Sequence, residues 1–116
     1  MPVGPWFRAF LITLVIELPI AARLLREVEP RLSRRLALIA FANLATHPAV
    51  WFVFPSLGLG DAAAIGLAEL WAVVLEALFY RVVLDRTTLV FTAGVSAVAN
   101  GASYAAGVAL WGLGWM

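Results

Sequence analysis

Four long apolar runs, separated by three short polar breaks, constrain this chain more than any other feature. They cover about Trp6–Leu24, Leu36–Pro55, Ala62–Val83 and Thr88–Trp111. A helix crosses the bilayer core with roughly 20 apolar residues, so each run is long enough to span. Composition agrees: 64% of residues are hydrophobic and 13% charged, against about 25% charged in soluble domains. The expectation is an all-α integral membrane protein, a compact antiparallel bundle of four transmembrane helices forming one domain over residues 1–116. The first run lacks a basic start and a small-residue cleavage site, and reads as a permanent span rather than a signal peptide.

The breaks carry turn chemistry. Pro30 and Ser33 mark a break and a restart, with Ser33 as the expected helix cap. Pro55-Ser-Leu-Gly58-Leu-Gly60 reads as a turn and Asp61 as the cap of the third helix. Leu84-Asp85-Arg86-Thr87 reads as a tight loop into the fourth. Loops this short make neighbouring helices antiparallel.

The chain has no Lys and no Cys. Disulfides, thiolate metal sites and thiol nucleophiles are therefore excluded. The net charge of +1 gives no nucleic-acid signal, because the arginines follow topology. Arg23, Arg26, Arg31, Arg34 and Arg35 fall in the first loop, and Arg81 and Arg86 flank the third. Only Arg8 lies on the other side. The positive-inside rule then places the Arg-rich loop, residues 23–35, in the cytoplasm and both termini outside the inner membrane. Trp6, Trp51, Trp111 and Trp115 fall toward the predicted outer face, as an aromatic belt would.

The polar residues inside these runs are the candidate site. Glu69 and Glu76 are two helical turns apart on one face, and Tyr80 continues that stripe. Glu17 lies near the middle of the first run. Asn43, Thr46 and His47 straddle the middle of the second, and Ser96, Asn100 and Ser103 that of the fourth. An acid at the centre of a membrane helix costs about 2.5–3.5 kcal/mol on insertion scales, so three together cost about 7–10. Hydrocarbon satisfies none of these groups, and the stripes should meet inside the bundle. Pro19 and Pro48 each free a carbonyl one turn earlier, at Val15 and Leu44, an ingredient of ion sites but also of plain kinks. Ala93, Ala97, Gly101 and Ala105 recur every fourth residue. Such a stripe lets helices approach closely, and is expected to pack within the bundle rather than form a homodimer surface.

Several chemistries fit parts of this set. A haem is disfavoured by one His and by Met only at the chain ends. Zinc hydrolysis lacks an H-E-x-x-H motif, although His47, Glu69 and Glu76, with Glu17, are possible metal ligands. A Ser96 or Ser103 nucleophile with His47 as base has no supporting motif. Tyr80 and Arg81 read first as interfacial anchors. Each acid also has a bland role, pinning helices through hydrogen bonds to Asn, Ser or Tyr. A proton or cation pathway needs only convergent acids, an imidazole that ordinarily titrates near neutral pH and oriented amides.

The sequence therefore predicts proton- or cation-coupled transport or a channel-like function. The ion-binding or relay residues would be Glu69, Glu76, His47, Asn43, Glu17 and Asn100, supported by Thr46, Pro48, Tyr80, Ser96 and Ser103. No cofactor is expected beyond a bound cation, and no catalytic residue is assigned. The expected partners are the lipid bilayer and a second copy of the chain, with no other protein named. Two alternatives stay open: a non-catalytic subunit recognising partner helices, and an intramembrane metal-dependent enzyme.

Overall fold

The computed structural model describes residues 3–114, and Trp115, counted above with the aromatic belt, lies outside them. Four α-helices run in order: α1 Val3–Leu24, α2 Leu32–Pro48, α3 Asp61–Val83 and α4 Leu89–Gly112. A five-residue π-helical turn, Ala49–Val53, and a 3-10 turn, Phe54–Leu57, extend α2. Three helical segments, Leu32–Leu57, Asp61–Val83 and Leu89–Gly112, are long and apolar enough to cross a membrane. α1 carries Arg8, Glu17 and Arg23 within its length.

The helices form a ring in which α1 packs on α2 and α4, and α3 packs on the same two. Its longest dimension is 39 Å. The inward seams are made of small and polar residues. On α3, Ala64, Ala68, Ala72, Glu76 and Tyr80 are all buried, one every fourth residue and hence on one stripe. On α4 the buried set is Thr92, Val95, Ser96, Ala99 and Asn100. Small side chains let backbones approach, and the polar ones then bond across the narrow gap.

Several local expectations are corrected. α2 starts at Leu32, so Ser33 is inside the helix; Arg31 occupies the cap position in extended conformation with no side-chain cap bond. Asp61 is the first residue of α3, not its cap, and Gly60 precedes it at φ 84°, a backbone angle that glycine adopts without strain. Asp61 still complements the positive end of the helix dipole. Thr88 caps α4, accepting from the Phe91 amide at 3.1 Å. Tyr80, expected at the interface, is buried in the apolar core with Leu25, Ile39, Leu84, Val95 and Ala99. Ala97, Gly101 and Ala105 face outward, because Ser96 and Asn100 take the inward face of α4 and each outward residue follows one residue later, about 100° round the helix.

Pro48 has the clearest backbone consequence. Without an N–H it cannot continue the regular ladder, and the chain passes into the π turn, where Phe54 N–H bonds Ala49 O. The carbonyls freed by Pro19 and Pro48 belong to Val15 and Leu44, residues that are 70% and 53% exposed. Both residues lie on the outward faces of their helices.

The Arg-rich end is tied down tightly. Arg35 donates to the Ala22 carbonyl at the end of α1 and to Pro30 O at 3.5 Å. Arg31 Nε donates to Glu29 Oε1 at 2.8 Å, and Arg34 reaches Oε2 at 3.4 Å. The hydrogen bond from Arg31 holds the Glu29 carboxyl below its ordinary 4.5.

Candidate functional site

The bundle is asymmetric from end to end. Toward the Arg-rich loop the helices close on the apolar core around Leu25, Ile39 and Leu84. Toward the other end they part around a cleft of about 840 Å³. Its mouth is formed where α1 and α3 begin and α2 and α4 end, at Pro5, Arg8, Trp51, Asp61 and Trp111. Deeper in lie Asn43, Thr46, Glu69, Ala72, Asn100 and Ser103.

Behind that floor two acids are enclosed by hydrogen bonds. Glu76 is 2% exposed and Glu17 1%. Asn100 Nδ2 donates to Glu76 Oε2 and to Ser96 O at 2.9 Å. Thr46 Oγ1 lies 3.5 Å from Glu76 Oε1, and its one hydroxyl hydrogen is shared with Ala42 O at 3.1 Å. Ser103 Oγ donates to Glu17 Oε1 at 3.0 Å and is also 3.0 Å from Asn100 O. Ser96 Oγ bonds Val73 O across the α3–α4 seam at 2.8 Å. Helices α1, α2, α3 and α4 thus each contribute to one polar layer, and Ser103 and Asn100 connect Glu17 to Glu76.

Glu69 is arranged differently. It is half-buried on the cleft wall, and no described residue hydrogen-bonds it. Two turns along α3 are about 10 Å, which puts Glu76 inside the helix packing and Glu69 in the open cleft. The two share a stripe but not an environment.

His47 also departs from expectation. Its Nε2 is 3.4 Å from Thr13 Oγ1 on α1, and its ring lies 5.5 Å from Phe10 and 6.5 Å from Trp6. Nδ1 is buried without a partner among the described residues. The imidazole lines the α1 side of the cleft and joins none of the acids. Among the described residues no three His, Asp or Glu side chains come together as a metal site.

The structure adds residues that the sequence reading did not single out. Thr13 stands one turn before Glu17 on the inner stripe of α1. Tyr104 joins the cleft wall, as does Trp51, named above only for the aromatic belt. The stripe Ala64, Ala68, Ala72 on α3 is legible by its four-residue spacing alone, and it gives the cleft its width. A smaller groove of about 360 Å³ between α2 and α3 has Thr46 and Glu76 in its wall, with Ala42, Leu75 and Phe79. Thr46 lines both spaces. No protein-family model, curated protein or solved structure matches the chain.

Proposed function

We propose that all four helices span the cytoplasmic membrane, with the Arg-rich loop inside and both termini outside, and that the protein moves protons or other cations through its polar layer. α1 supports the fourth span by length: its 22 residues rise about 33 Å, enough for the hydrocarbon core. The topology rests on arginine placement, and the cleft then opens outward. The observation that carries the functional reading is one arrangement. Buried carboxylates from two helices sit at the foot of an open cleft, tied to it through Asn100 and Ser103, with packed apolar residues on the far side. In this reading Glu69 meets the incoming ion, Glu17 and Glu76 exchange charge behind it, and Asn43 and Asn100 orient them. Intramembrane acids that face a water-accessible cavity are the usual components of such pathways.

A second reading keeps the site but changes its use. The outward stripe Ala97, Gly101, Ala105 of α4 is of the small-residue type that packs against another helix, either a partner protein's or a second copy's. A subunit role predicts that Gly101→Leu breaks an assembly while purified monomer still folds.

The test is thermal stability of the detergent-purified protein from about pH 5 to about pH 9, with and without monovalent and divalent cations, because whatever binds the native state raises its apparent stability. A cation-specific stabilisation that disappears in Glu76→Gln supports the ion site. Identical flat responses in both proteins reduce the acids to structural pins.

A further inference from the structure

Deep in the cleft, Glu69 and the two asparagines offer unused acceptor atoms. Asn43 Nδ2 donates to Ile39 O at 2.9 Å, and Asn100 Nδ2 donates to Ser96 O at 2.9 Å. A backbone carbonyl only accepts, so these contacts settle which side-chain atom is the nitrogen. Both asparagines line the cleft, and each keeps its amide oxygen as a free acceptor; Asn100 has both N–H groups engaged, and Asn43 keeps one N–H besides. Ser103 directs its hydroxyl at Glu17. Glu69 adds a carboxylate to which no described residue donates.

Charge points the same way. Arg8 and Asp61 are of opposite sign at the mouth, which leaves Glu69, about 12 Å further along α3 than Asp61, as the acid on the cleft wall, with His47 turned to Thr13 and the aromatics of α1. The volume of about 840 Å³ is that of pockets for organic molecules, roughly 300–1,000 Å³, and far exceeds a bare ion. Much of the remaining wall is apolar, with Ile12, Ile65 and Ala68 above the floor and the indole of Trp51 toward the mouth, while Thr13, His47 and Tyr104 add polar edges. A cation favours an aromatic face of this kind.

We propose that the cleft binds a protonated amine: a monocation with N–H donors for Glu69, Asn43 and Asn100 and a small apolar or aromatic body for the wall. The proposal rests on the reading of the cleft as a cation site and specifies the cation. The N–H groups are the discriminating feature, since a quaternary ammonium keeps the charge but offers no donor to the acceptor floor.

The experiment titrates the purified protein calorimetrically with four probes of one skeleton: 2-phenylethylammonium, its N-trimethyl counterpart, 2-phenylethanol and 3-phenylpropanoate. The amine should bind saturably, and the other three at least about ten-fold more weakly, because charge-assisted hydrogen bonds are lost or the charge is wrong. Glu69→Gln should weaken the amine by a similar factor. Gly107→Phe is the second variant: Gly107 lines the cleft and a Cβ there meets nothing within 4 Å, so a ring has room to project into the cleft and should weaken binding at least about ten-fold. Equal binding of the trimethyl compound or of the alcohol overturns the proposal. So does binding that Gly107→Phe leaves undiminished, or an absence of binding by all four probes. Ion flux separates this from the transport reading: amine binding without flux leaves the amine site and removes transport, while flux without amine binding does the reverse.

Discussion

Asn100→Leu is the perturbation whose size follows most directly from the geometry. It keeps the branched shape of the side chain, with bulkier methyls in place of the amide, and removes the donor to Glu76 and to Ser96 O. Glu76 is then left with Thr46 at 3.5 Å, a hydroxyl already engaged by Ala42 O. Leaving a buried polar group without its partner costs about 1–3 kcal/mol, and more if it is charged. Interhelical hydrogen bonds in membranes average about 0.6 and reach about 1.7 kcal/mol. The enclosed position of Glu76 puts the loss a little above that maximum and within the cost of an unsatisfied buried group, at about 2 kcal/mol. Glu76→Leu alone should cost less, about 1 kcal/mol, because Asn100 keeps its bond to Ser96 O. The double variant should be more stable than Asn100→Leu, with a coupling of about 1–2 kcal/mol, since removing both partners leaves nothing unsatisfied. Equilibrium unfolding by SDS in mixed micelles measures all four proteins. An Asn100→Leu loss below about 0.5 kcal/mol, or strictly additive single changes, would refute a tightly coupled pair.

Three further outcomes are expected. Thr88→Ala should destabilise by about 1 kcal/mol in the same unfolding assay, because it removes the α4 cap seen at the Phe91 amide. Glu29, held below its ordinary 4.5 by Arg31, should stabilise the fold above that value and lose its contribution as pH falls through its lowered folded value; melting curves of Glu29→Gln should lack this acid-side component. A C-terminal alkaline phosphatase fusion should be active and a C-terminal green fluorescent protein dark if the proposed topology, with that end outside, holds; the opposite pattern would invert the cleft.

The sequence made the helices and the polar layer legible for physical reasons. Long apolar runs have few foldable outcomes, and polar groups in them must find one another. Periodicity showed which residues share a stripe on a helix, but not which neighbour that stripe meets. Ser96 and Asn100, and Ala97 and Gly101, are equally regular series on α4, and only packing shows that the polar pair points in. Glu69 and Glu76 were equivalent by period and became distinct by depth. His47 shared a stripe with Asn43, yet its larger ring reaches Thr13 and the aromatics of α1, while Asn43 turns back to Ile39 O at 2.9 Å. Helix starts were misplaced where backbone conformation alone, at Arg31 and Gly60, begins the helix without a side-chain cap.

The most direct measurement of the central claim is cation flux through purified protein in sealed liposomes. A potassium diffusion potential supplies the driving force and an internal pH-sensitive dye reports proton entry, with wild type, Glu76→Gln and protein-free vesicles compared. The account predicts flux in wild type that falls to the protein-free level in Glu76→Gln while the variant remains folded. Wild-type vesicles as tight as empty ones, to protons and to the monovalent cations tested in the same way, would contradict it.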